Sequence, residues 1–152
     1  MEDKITPCIW IRTASGNINE VIEYYKNIFS INFVSEEIIP LGTTPSGNTQ
    51  MCYVKIFNKR YLFMSTERVH FELNDGISFI LECEDQNEID LYWNYFIKEG
   101  NAVECGWCID KYSLRWQVIP KNLDELMSTP EGYKILMNQK KIIIDEYLKN
   151  NR

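Results

Sequence analysis

With 152 residues, 22 acidic against 16 basic side chains and a formal net charge of −6, the chain reads as one globular domain over residues 1–152. Its lysines and arginines are dispersed, which excludes the footprint of a phosphate-backbone binder, and no apolar stretch approaches the roughly 20 residues of a membrane-spanning helix. Met1 to Ile5 carries two acids and no apolar region, and the cysteines Cys8, Cys52, Cys83, Cys105 and Cys108 are odd in number, so reduced thiols in a cytoplasmic protein without a secretory signal are expected.

Ile5 to Arg12 is rich in β-branched and aromatic residues and predicts the first strand. Asn17 or Asn19 caps a helix over Ile18 to Phe29, where Ile18, Val21, Ile22, Tyr25, Ile28 and Phe29 recur at three- and four-residue steps. Ile31 to Leu41, Gln50 to Phe57 and Tyr61 to Ser65 follow as strands, separated by the Gly42 to Asn48 turn cluster and the Asn58-Lys59-Arg60 reversal.

The order then recurs, with a strand over Ile77 to Cys83, a helix over Asn87 to Lys98 and short strands between Val103 and Pro120. The best trace of the repeat is helical, where Asn19 to Tyr25 matches Asn87 to Trp93 with each pair 68 positions apart. The domain therefore divides into a first module over about 5–65, a second over about 76–120, and a helical tail over about 122–149. In the tail, Asn122 to Ser128 predicts a short helix, and Thr129-Pro130-Glu131 supplies cap, first-turn proline and first-turn acid for a last helix running to about Lys149.

Cys105-Gly106-Trp107-Cys108-Ile109-Asp110-Lys111-Tyr112-Ser113-Leu114-Arg115-Trp116-Gln117-Val118-Ile119-Pro120 resembles the signature of the PhnB-like family, roughly C-G-W-x-x-D-x-F-G-x-x-W-Q-I-V-P. Ile5-Thr6-Pro7-Cys8-Ile9-Trp10, His70-Phe71, Ile77-Ser78-Phe79 and the tail around Lys140-Lys141-Ile142 resemble other parts of that family. The resemblance implies an α+β fold of paired βαβββ modules forming curved mixed sheets, the vicinal oxygen chelate or glyoxalase-like architecture, with C-terminal helices. Ser113 and Cys108 depart from the family's usual glycine and aliphatic residue, and Thr13 to Asn17 reads as a small insertion. The family has also carried a demethylubiquinone methyltransferase label, but no glycine-rich strand-to-helix turn is present to hold S-adenosylmethionine.

Metal-dependent members of the superfamily draw two ligands from each module, and the resemblance places Gln117 and Met64 at the last-strand positions, with Ser78 and one of Thr6 to Cys8 on the first strands. An amide, a thioether and a hydroxyl do not build a hard divalent site, so neither metal nor cofactor is expected. His70, the only histidine, and Glu82 are candidate general bases; the plainer reading of His70 is a loop residue with local hydrogen bonds. The Cys105-x-x-Cys108 pair leads into a strand rather than a helix N-terminus, so a packing role is expected over redox or zinc chemistry.

Period-two alternation puts Ser78 and Glu82 on one strand face, with Thr6, Cys8, Trp10 and Arg12, Leu62 and Met64, and Arg115, Gln117 and Ile119 on analogous faces. Cys8, Trp10, Arg12, Met64, Ser78, Glu82, Trp107, Arg115 and Gln117 are the expected lining of a small-molecule cavity, while Trp116 faces the helices. The alternative is that these residues fill a closed barrel or stabilise a dimer. A metal-free, cytoplasmic homodimer binding an unidentified small organic molecule is the leading expectation. An enzyme using Glu82 or His70 as base against a substrate held by Arg12 or Arg115, and a structural or regulatory protein docking through its tail helix, are the rivals.

Overall fold

Pro7 decides where the first strand begins. Its ring removes a backbone donor and holds Thr6 extended, so only its carbonyl joins the sheet, accepting from Leu62 N at 2.9 Å. Ladder pairing starts at Cys8, three residues later than the sequence pattern suggested. The computed structural model describes residues 3–149, and two compact units, Met1–Glu72 and Leu73–Arg152, each contain one βαβββ module, the strand after the first helix being split in two in the first unit.

The first unit runs β1 (Cys8–Arg12), α1 (Asn19–Phe29), β2 (Phe33–Ser35), β3 (Ile39–Thr44), β4 (Gly47–Ile56) and β5 (Lys59–Thr66). Its sheet has the order β1-β5-β4-β2, with β3 also pairing with β4, and β1 lies parallel to β5. Neither Asn17 nor Asn19 caps α1 in the expected sense. Asn17 Oδ1 accepts from Asn19 N at 2.9 Å, and Gln50 Oε1 takes the Ile18 N–H at 2.9 Å.

The single strand expected over Ile31 to Leu41 is broken. Ser30 ends α1 with a positive φ and opens a short 3₁₀ turn to Asn32, residues 36–38 separate β2 from β3, and a register shift between Pro40 and Gly42 interrupts β3 itself. A proline and a bulge on the outer strand are common protections of an exposed edge. The Gly42 to Asn48 cluster is likewise mostly ladder, since Thr43 pairs with Asn48 and Thr44 with Gly47, leaving Pro45 and Ser46 as the reversal. The second reversal falls on Phe57 and Asn58, both at positive φ (55° and 93°), one step before the expected Asn58-Lys59-Arg60. Positive φ at both central residues matches strand twist in a two-residue hairpin.

The second unit repeats the plan with β6 (Phe79–Cys83), α2 (Gln86–Lys98), β7 (Asn101–Ala102), β8 (Trp107–Ile109) and β9 (Arg115–Pro120), in the sheet order β6-β9-β8-β7. Here too the first strand lies parallel to the last. Val21, Tyr24, Tyr25 and Ile28 of α1 are buried, and so are Ile89, Tyr92, Trp93 and Phe96 at the matching positions of α2. The repeat suggested by the helices is thus a repeat of core positions. Both sheets, as described, have open ends rather than a closed barrel.

Each helix packs on one sheet face. In the first unit Tyr25 meets Phe63 of β5 at 5.5 Å between ring centroids; in the second Phe96 stacks on Trp116 of β9 at 4.8 Å. Asp85 caps α2 by accepting from Glu88 N at 3.0 Å.

The tail forms α3 (Leu123–Leu126), α4 (Pro130–Asn138) and α5 (Ile144–Lys149). Thr129 caps α4 through Gly132 N, as its sequence predicts. The helix does not run on to Lys149, because Gln139 turns extended and its backbone carbonyl accepts from Cys105 N at 2.7 Å. Gln86 of α2 then holds the connecting segment, donating to Ile142 O at 3.0 Å and accepting from Ile144 N at 2.9 Å. Leu126, Leu136, Ile142 and Tyr147 form a small core against which Cys105 and Ile119 pack.

Candidate functional site

Alternation leaves each sheet with one face packed against its helix and one face more open. On β1, Ile9 and Ile11 are buried while Cys8 and Arg12 are exposed and Trp10 is half-buried; on β9, Trp116 and Val118 are buried while Arg115, Gln117 and Ile119 are half-buried. The register makes the two modules equivalent. Trp10 lies beside Met64 in one parallel pair, and Ile80 lies beside Gln117 in the other. Cys8 and Ser78 therefore occupy matching places two residues earlier, and Arg12 and Glu82 two residues later.

In the first unit the open face joins Cys8, Trp10 and Arg12 to Leu62 and Met64. Met51, directly across from Met64, and Tyr53, across from Leu62, extend it. Arg60 covers the Tyr53 ring with its guanidinium carbon 3.7 Å from the centroid and reaches Glu36 at 3.7 Å. Met51, Tyr53 and Arg60 escaped the sequence reading because their facing depends on the β4–β5 register. Though exposed at its surface, the Cys8 thiol is partly desolvated by its neighbours, which raises it above its ordinary pKa.

In the second unit the open face brings together Ser78, Ile80, Glu82, Trp107, Arg115 and Gln117. Gln117 lies between Ile80 on β6 and Trp107 on β8. Its Nε2 donates to Ser78 Oγ at 2.9 Å. Arg115 donates through Nε to Asp75 Oδ1 at 3.0 Å and through Nη1 to Ser113 O at 2.6 Å. Asp75 had no role in the sequence reading, and only the loop path ahead of β6 brings it to Arg115.

The two candidate bases are both exposed, His70 in the loop following β5 and Glu82 on β6. The Cys105/Cys108 pair is divided by its surroundings. Cys105 packs on the tail core, whereas Cys108 is fully buried and its thiol is pushed up to about 12 by burial and by the nearby Asp110 charge. A redox pair needs the opposite shift. Asp110 is itself 3% exposed and organises the turn before β9: Oδ1 accepts from Tyr112 N at 2.8 Å and Leu114 N at 3.1 Å, and Oδ2 from Trp116 Nε1 at 2.8 Å.

The donors at the four ligand positions of metal-dependent relatives do not fit a hard divalent ion. Gln117 is bonded to Ser78, and Met64 stands diagonally from Cys8, a set of amide, hydroxyl, thioether and thiol. No group of three or more His, Cys, Asp or Glu side chains among the described residues is placed to hold a metal. S-Adenosylmethionine fits no better. Gly16, the only glycine between β1 and α1, has a φ of +70°, and a Cβ there would lie 2.2 Å from Asn48 O. The N–H groups of Ile18 and Asn19, which a bound cofactor would use, are already taken by Gln50 and Asn17.

Paired βαβββ modules, with a parallel first and last strand and one open face in each, are the architecture of the vicinal oxygen chelate superfamily. Within it the chain belongs to the PhnB-like family, whose model, described as 3-demethylubiquinone-9 3-methyltransferase, matches residues 3–119. Among solved structures it resembles the PhnB protein from Bacillus cereus at 19% identity and a TM-score of 0.62, covering 78% of this chain and 98% of that one. Protein PA1353 from Pseudomonas aeruginosa is similar at 13% identity and a TM-score of 0.55, covering 77% and 97%. The fosfomycin resistance protein FosX from Mesorhizobium loti follows at 12% identity and 0.51, covering 85% and 99%. At these identities the likeness is one of fold. No curated protein matches the sequence significantly.

Proposed function

We propose that this protein is a binding module that holds a small organic molecule on its open sheet faces without metal-dependent turnover. One observation carries the reading: a face of each sheet that its own helix leaves uncovered combines large apolar side chains with a few polar groups. Trp10 and Met64 accompany Arg12 on one, and Trp107 and Ile80 accompany Ser78, Arg115 and Gln117 on the other. Such mixtures are the usual lining of small-molecule sites. Glu82 lies on the second face with its side chain exposed, and His70 is exposed in the loop following β5, so the binding reading needs neither as a base. The methyltransferase description of the family does not carry over, since the first N–H groups of α1 are taken by the Gln50 and Asn17 side chains.

A homodimer in a reducing, cytoplasmic setting completes the proposal, because exposed apolar side chains such as Val34 (59%) and Ile77 (76%) call for cover. A thermal-shift screen against metabolites tests the binding role: a ligand of the native state raises the melting temperature, and Trp10→Ala or Trp107→Ala reduces that rise. A screen in which no compound shifts the transition would sink it. Sedimentation at micromolar concentration tests the dimer, and a monomer mass unchanged on tenfold concentration would refute it.

A further inference from the structure

We propose that the open face of the second module recognises a neutral, planar ligand carrying a hydrogen-bond donor and an acceptor side by side, the edge of a lactam or cyclic amide, through Ser78 and Gln117. This rests on the reading of that face as a ligand site and adds the class of ligand.

The inference starts from hydrogen-bonding capacity. A glutamine amide has a carbonyl oxygen and two N–H groups, and a serine hydroxyl has one donor and two acceptor lone pairs. The bond from Gln117 Nε2 to Ser78 Oγ at 2.9 Å uses one N–H and one lone pair. The Ser78 hydroxyl hydrogen and Gln117 Oε1, with the second Gln117 N–H beside them, are left over, half-buried and without a protein partner among the described residues. A ligand that displaces water from them must supply an acceptor to the serine and a donor to the glutamine, because a buried polar group left unmatched costs affinity. Mutual bonding also holds each side chain in place, so little freedom is lost when a ligand binds.

Charge and shape narrow the class. Arg115 is the one cation on this face among the described residues; its guanidinium is committed to Asp75 and Ser113 O, and its side chain is only 15% exposed. An anion would find no uncompensated positive charge here, and Glu82 on the same face would repel it. Ile80 and Trp107 lie in register on the two sides of Gln117, so a flat ring bonded to the amide would have apolar contacts and an indole to stack against. Ile119, the next outward residue of β9, packs against the tail core, which limits the face at that end.

The probes are 2-pyridone, which has adjacent N–H and C=O groups, N-methyl-2-pyridone, which lacks the donor, and benzoate, which is planar and anionic. The readout is the Trp107 indole N–H signal in the NMR spectrum, assigned by Trp107→Phe, with the Trp116 indole signal reporting that the fold is intact. We expect saturable displacement of the Trp107 signal by 2-pyridone, at least tenfold weaker binding of the other two probes, and at least tenfold loss of 2-pyridone binding in Ser78→Ala and Gln117→Leu. Equal binding of N-methyl-2-pyridone, tighter binding of benzoate, or no displacement by 2-pyridone would each overturn the ligand class. The probe comparison needs no variant, so it decides even if a substitution fails to fold. A metabolite of another class that raises the melting temperature and displaces the Trp107 signal would overturn this class while leaving the binding role standing.

Discussion

The indole of Trp116 stacks on the ring of Phe96 with centroids 4.8 Å apart and planes 9° from parallel, fastening β9 to α2. Its N–H donates to the buried Asp110 carboxylate at 2.8 Å. Trp116→Ala should therefore cost about 3–5 kcal/mol, a cavity beside Phe96 with an unmatched carboxylate oxygen added. Trp107→Ala, on the open face, should cost under about 1.5 kcal/mol. Urea denaturation of both variants measures the difference, and equal losses would mean that the two faces are not energetically distinct.

Ser113 stands where the family signature has glycine, and its φ is +70°. A side chain in left-handed backbone costs roughly 1–2 kcal/mol, partly offset by the greater unfolded-state freedom of glycine. Ser113→Gly should stabilise the protein by about 0.5 kcal/mol, raising the urea midpoint without changing the slope of the transition. The backbone bonds of this residue, Ser113 N to Asp110 O and Arg115 Nη1 to Ser113 O, survive the change.

Alkaline pH should destabilise the fold. Burial, reinforced by nearby acidic groups, pushes the Cys83 and Cys108 thiols from 9.0 up to about 12 and the Tyr147 hydroxyl from 10.0 up to about 12. These groups stay protonated in the folded state while the unfolded chain ionises at ordinary values. Stability is then complete below pH 9 and falls as pH rises toward 12, by up to about 1.4 kcal/mol per pH unit for each group. Urea midpoints at pH 8 and pH 10.5 measure the fall, and Cys83→Ala/Cys108→Ala should be less stable at pH 8 yet lose less between the two.

Gln86 should control the order of the tail. It accepts the Ile144 N–H at 2.9 Å and donates to Ile142 O at 3.0 Å, while Gln139, 7% exposed, accepts from the Tyr147 hydroxyl at 3.0 Å. Gln86→Ala should speed amide exchange at Ile144 by roughly tenfold, with exchange in β9 unchanged, because the lost bonds are worth about 1–2 kcal/mol and act locally. Uniform acceleration across β9 would show the tail to be part of the global unfolding unit.

Purified protein reconstituted with nickel, zinc, manganese or iron should retain well under about one equivalent after dialysis, because Ser78, Gln117, Met64 and one of Thr6 to Cys8 offer at most one strong anionic donor. Elemental analysis decides. Tight stoichiometric metal released by Gln117→Ala would reverse the reading of the open faces.

Much of this architecture is local in origin and therefore legible in the residues. Helical spacing located α1 and α2 and the burial of Val21 and Ile89, period-two alternation separated Trp116 from Gln117, and Thr129-Pro130 marked the start of α4. The Cys105 to Pro120 motif also brought the family into view. What the residues left open depends on partners distant in the chain. The β4–β5 register put Met51 beside Met64, and the loop before β6 brought Asp75 to Arg115. The break at Gln139 follows from a backbone bond to Cys105 and side-chain bonds from Gln86, neither visible in the helical pattern that runs on past it. Local periodicity reports which face of an element is apolar; only tertiary contact decides which polar atoms on the other face find each other, as Gln117 and Ser78 do across 39 residues.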